Sequence, residues 1–151
     1  MSRHAIFIPI DNYVQSPDNN FNWNFGGSII EADRTLFMLH TFPGTGEREW
    51  LFTGLTGTPV QGNVFEFGIA VPYIDDDVME RTYTLEDGLS FSHMHSIPIL
   101  PGAVSFVYAD SAELTIRLDP INGTVQGDYK ATFRTHRLMP GGTFKLKRTD
   151  Q

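Results

Sequence analysis

The chain has 151 residues, of which 40% are hydrophobic, 13% aromatic and 19% charged, with a formal net charge of −7 and no cysteine. Such a composition is too apolar and too weakly charged for a disordered chain, and no apolar run approaches the roughly 18 residues of a membrane span. The missing cysteines exclude disulfides, thiolate metal centres and cysteine nucleophiles, and the acidic balance disfavours nucleic acid and anionic membrane surfaces as partners.

The length matches the prior of roughly 150 residues per domain, and one domain over residues 1–151 is expected. Residues 3–10 form a β-rich apolar run broken by Pro9 and followed by Asp11. The run is too short for the apolar region of a signal peptide and has no small-residue cleavage site after it, so a cytoplasmic location is expected. Residues 20–25 alternate asparagine with Phe21, Trp23 and Phe25 and end at Gly26-Gly27. Residues 35–42 are apolar and bounded by Pro43-Gly44-Thr45-Gly46. Further strands are expected at 49–53, 63–71, 83–85, 89–97 and 104–109, with a helical turn or two only at 74–81.

Period two is clearest near the C-terminus. Residues 113–118 alternate polar and apolar, as a half-buried strand does, and run into the turn formers 119–123. Alternation resumes over 125–134 with Val125, Tyr129, Ala131 and Phe133 on one face. It appears again over 143–147, after Pro140-Gly141-Gly142. Short connections between successive strands require antiparallel pairing, because parallel neighbours need a long crossover. The sum is an all-β chain of roughly nine to eleven short strands. An antiparallel, jelly-roll-like β-sandwich is the expected architecture, with a closed barrel as the alternative.

Three groups of residues carry the functional expectations. If 89–97 is a strand, Leu89, Phe91, His93, His95 and Ile97 share one face. Two imidazoles then point the same way, the disposition by which a strand offers two nitrogen ligands to one divalent metal ion. His40, His136 or Glu66 is the candidate third ligand. Gly88 precedes the pair as a glycine does in the cupin pattern, but residues 96–100 lack the glutamate that pattern requires, so the segment is not read as a cupin.

The second group is basic. Residues 129–149 contain no carboxylate and six of the 11 lysines and arginines. Lys130 and Arg134 alternate away from Tyr129 and Phe133, and Lys145 and Lys147 away from Phe144 and Leu146. If these strands pair, Lys130, Arg134, Lys145 and Lys147 form a cationic stripe facing solvent. Like charges side by side cost stability unless neutralised, by an anion, by an acidic partner or by carboxylates on the next strand such as Glu113.

The third is the segment 20–25, whose amides and rings would suit a sugar if exposed, although strict alternation places the rings in the core. Asp75-Asp76-Asp77 lacks the ligand spacing of a calcium loop, and Asn122-Gly123 is accounted for as a turn.

No catalytic constellation is legible. The expected function is therefore a non-enzymatic binding or protein-interaction module without a cofactor. Its partner would be a protein or a small anionic or polar ligand, held by Lys130, Arg134, Lys145 and Lys147. Exposed strand edges make a homo-oligomer compatible with the pattern. The alternative is a small metal-dependent enzyme or sensor with one divalent metal ion at His93 and His95.

Overall fold

The computed structural model describes residues 19–151, and the expected strand at residues 3–10 lies outside them. Eleven strands are present among the described residues: β1 (Asn20–Trp23), β2 (Ile30–Glu31), β3 (Arg34–Thr41), β4 (Arg48–Thr56), β5 (Phe65–Pro72), β6 (Met79–Thr84), β7 (Ser90–Ser96), β8 (Val104–Tyr108), β9 (Ser111–Asp119), β10 (Thr124–Thr132) and β11 (Gly141–Lys147). Every pairing is antiparallel. They form a six-stranded sheet in the order β2-β1-β11-β10-β9-β6 and a five-stranded sheet in the order β3-β4-β5-β7-β8. The architecture is a two-sheet sandwich, not a closed barrel.

The two inner faces meet in an aromatic core, as alternation predicts for each strand. Phe144 of β11 stacks on Phe21 of β1 at 5.5 Å between ring centres and on Phe52 of β4 at 5.4 Å, joining the sheets. Phe37, Trp50, Phe67, Ile69, Phe91, Leu114 and Phe133 are also buried. Burying each such side chain is worth about 1.5–3 kcal/mol. Gly54 of β4 is where Phe21 enters the opposite sheet, and a methyl group there would collide with the Phe21 ring.

The helical turn expected at 74–81 is not formed. Residues from Met79 onward pair with Leu118 to Glu113 of β9 and become an edge strand. The local sequence carries little strand signal, because Glu80, Arg81 and Thr82 are all exposed; pairing to the already alternating β9 decides the matter. The helical turn instead falls at Leu85–Asp87. There the Asp87 carboxylate accepts from the Thr84 backbone N–H at 2.9 Å, and Gly88 closes the turn with φ 93°, a left-handed conformation that suits glycine.

The five-stranded sheet is buried on its outer side too. Leu51, Leu55, Glu66, Ser92 and Met94 alternate away from the aromatic core and are nevertheless buried. Arg34, Leu55, Glu66, Met94 and Phe106 form one rank across that outer face.

Candidate functional site

His93 and His95 lie on β7 with their rings toward the interior of the sandwich, at the end where β5, β7 and the segment after β10 converge. His93 is 1% exposed and sits among Phe65, Phe67 and Phe133, with ring centres 4.4, 5.1 and 5.8 Å away. His93 Nδ1 lies 3.0 Å from the Glu66 carbonyl oxygen, and His95 Nδ1 lies 3.0 Å from His93 Nε2. A carbonyl can only accept, so His93 carries its proton on Nδ1 and offers a lone pair at Nε2. His95 must then donate from Nδ1, which leaves its own Nε2 as a lone pair. One backbone carbonyl fixes the tautomers of both rings.

Burial, above all, pushes the His93 imidazole down to about 4, with the neighbouring His95 and His136 adding to the effect. His95 is lowered by burial and then by His136. Both rings are neutral near pH 7, the state in which imidazole accepts hydrogen bonds or binds metals.

Of the three candidates for a third partner, the fold brings one. His136 stands with its ring perpendicular to that of His95, at 4.5 Å between centres, and 6.1 Å from that of His93. Its Nε2 is buried without a hydrogen-bond partner. His40 is on β3, facing Glu49 at 3.5 Å and edge-on to Phe42. The Glu66 side chain points to the other face of β5, opposite Met94. There it is 2% exposed, with Oε1 unpartnered, and burial raises its carboxyl to about 8 against a smaller opposing pull from Arg34. Among the described residues, no group of three or more His, Asp or Glu side chains is disposed to hold a metal ion.

The basic residues divide between two places and a turn. Register aligns Asn20, Lys145, Gln126, Arg117 and Glu80 in one rank across the outer face of the six-stranded sheet. Arg117 is ion-paired with Glu80. Lys147 belongs to the adjacent rank, with Thr124 and Asp119. Lys130 lies farther along β10, 4.0 Å from Glu113, the carboxylate anticipated for it. Arg134 lies past the end of β10, in the turn before Leu138, where its backbone N–H donates to Asp110.

Two hollows open on this face. The larger, of about 850 Å³, is lined by Asn20, Thr82, Thr115, Asp128 and Thr143 together with the central rank. The smaller, of about 290 Å³, adds Asp119, Thr124 and Lys147. Both are lined by Arg117, Gln126 and Lys145. Lys130 lines a separate hollow of about 430 Å³ with Glu113 and Met139. The central rank was only half legible in the sequence: Lys145 was evident, but Arg117 and Gln126 become its neighbours through register alone.

Phe21 and Trp23 are buried, leaving only Phe25 exposed, at 43%, against Phe65 and Phe67. The 20–25 segment therefore offers no row of rings to a sugar. Asp75, Asp76 and Asp77 are exposed loop residues, Asp76 accepting from the Tyr73 hydroxyl at 2.9 Å.

Fold and surface thus define a two-sheet antiparallel β-sandwich with a polar outer face on one sheet and a histidine cluster at one end. A scan of protein-family models and searches of curated proteins and solved structures return no significant match, so every residue role rests on this chain's own geometry.

Proposed function

We propose that this protein is a non-enzymatic binding module that takes a small anionic ligand, or an acidic peptide segment, on the outer face of its six-stranded sheet. The observation that carries the reading is the rank Arg117–Gln126–Lys145, which lines both hollows. It places a guanidinium, an amide and an ammonium in register on three adjacent strands. A carboxylate or phosphate there would accept charge-assisted hydrogen bonds from Lys145 and Arg117 and a neutral one from Gln126. Strands hold such groups more rigidly than loops do.

The surrounding charge restricts the ligand. Glu80, Asp119 and Asp128 border the same hollows, and the whole chain carries −7. A long polyanion would meet repulsion beyond the central rank, so a compact anion or a short acidic stretch fits best. Thr82, Thr115 and Thr143 add hydroxyl groups for a polar ligand's remaining oxygens.

Titrating the full chain with a short glutamate-rich peptide and with tripolyphosphate tests this. Saturable binding that weakens at least about tenfold in Lys145→Glu, and falls steeply with salt, is expected. The same affinity in Lys145→Glu as in the parent would remove the reading.

A further inference from the structure

The two histidines of β7 differ in what they have left to offer. Both ring nitrogens of His93 are engaged, one with the Glu66 carbonyl and one with His95. His95 keeps a free lone pair at Nε2, on a ring whose orientation is fixed through its other nitrogen. This is the arrangement in which a metal-binding histidine is normally held: the distal N–H is donated to a fixed acceptor, which sets the tautomer and raises the basicity of the ligating nitrogen. His136 is the other imidazole beside it. Its ring lies 4.5 Å from that of His95 at an interplanar angle of 88°, and its Nε2 is a buried orphan. Buried polar atoms are nearly always paired, so an orphan on the neighbouring ring calls for an explanation.

We infer that His95 and His136 form a two-imidazole site for a divalent late transition metal of tetragonal preference, copper(II) or nickel(II), with His93 as the residue that positions His95. The spacing carries the geometry. A metal about 2.0–2.1 Å from a ring nitrogen lies about 3.2 Å from the ring centre. Two ligands at a right angle then have centres about 4.5 Å apart, and two at the tetrahedral angle about 5.2 Å. At the observed separation of 4.5 Å, a metal shared by the two lone pairs would hold them at the right-angle value, and square or tetragonal nitrogen sites are those of copper(II) and nickel(II). The described residues supply no third His, Asp or Glu ligand to the set, so the remaining positions are left to water or to an exogenous ligand. An open coordination sphere of this kind suits a sensor or a substrate-binding metal better than a structural one. Relative to the expectation from sequence, the pair shifts: His95 remains a ligand, His136 replaces His93, and His93 moves behind His95.

The test is titration of the tag-free full chain with Cu²⁺ and Ni²⁺, followed by calorimetry and by the electron paramagnetic resonance of bound Cu²⁺. One equivalent of Cu²⁺ should bind in a tetragonal spectrum with coupling to two imidazole nitrogens. His95→Ala and His136→Ala should each weaken it at least tenfold, while His40→Ala leaves it unchanged. His93→Gln should weaken it less, without loss of a coupled nitrogen. Should an alanine variant fail to fold, paramagnetic broadening in the parent decides. Ring protons of His95 and His136 should broaden first, ahead of those of His40. Binding equally tight in His95→Ala and His136→Ala, broadening centred elsewhere, or no saturable binding at all would overturn the inference.

Discussion

Glu66 and His93 are joined through the backbone and shifted in opposite directions. The Glu66 carbonyl accepts from His93 Nδ1 at 3.0 Å on one face of β5, while the Glu66 carboxyl is buried on the other. Burial raises that carboxyl to about 8 and lowers the imidazole to about 4. Each group is therefore held neutral, and each makes stability depend on pH with its own sign.

For Glu66 the folded value lies above the unfolded value of 4.5. Its contribution is intact below the unfolded value and is lost as pH rises through the folded one, because the unfolded chain releases the proton first. At about 1.4 kcal/mol per unit, the loss across that window is of order 4–5 kcal/mol as an upper bound. Glu66→Gln should therefore stabilise the chain by about 2–4 kcal/mol near pH 8 and change little near pH 4. Urea midpoints at the two pH values check this. An equal effect at both would contradict it.

For His93 the folded value lies below the unfolded 6.5. Its contribution is intact above the unfolded value and is lost as pH falls toward the folded one. In metal-free protein, the His93 ring should remain neutral and protonated at Nδ1 from about pH 8 to about pH 5. Nitrogen-15 correlation spectra of the imidazoles report both tautomer and midpoint. A His93 midpoint near the ordinary histidine value would contradict the burial, which outweighs the upward pull of the Glu66 carbonyl.

Gly54 is needed for the approach of Phe21, whose ring occupies the space a side chain would take. Forcing an extra methyl into a packed core costs about 1–3 kcal/mol. Gly54→Ala should lower the unfolding free energy by that amount, read as a lower urea midpoint with an unchanged slope. No change would mean that Phe21 does not cross between the sheets here.

Lys130 and Glu113 are exposed and 4.0 Å apart, a pair of the kind usually worth less than about 1 kcal/mol. Lys130→Gln should leave both stability and ligand affinity close to those of the parent, which separates it from Lys145. A loss of affinity matching that of Lys145→Glu would move the binding surface to the far end of β10.

Alternation made the β9–β10–β11 meander legible, because one face of those strands is buried and the other wet. It failed where that contrast fails. In β4, consecutive residues Trp50, Leu51 and Phe52 are all buried, so the run has no period and its extent to Thr56 is not readable. In β6 the residues Glu80, Arg81 and Thr82 are all exposed, and only pairing with β9 makes them a strand. The shared face of His93 and His95 followed from period two alone. That His136 would join them depends on where the segment after β10 folds back. The roles of the nitrogens depend on a backbone carbonyl, which no side-chain pattern encodes. Lys145 could be seen as a surface cation, while its alignment with Gln126 and Arg117 is a consequence of register.

The most direct measurement of the central claim is amide chemical-shift mapping of the isotope-labelled full chain during titration with the glutamate-rich peptide. The account predicts saturable shifts centred on Arg117, Gln126 and Lys145, with the strands of the five-stranded sheet unmoved and the response lost in Lys145→Glu. Shifts centred on the histidine end or on the five-stranded sheet, or none at millimolar peptide, would contradict it.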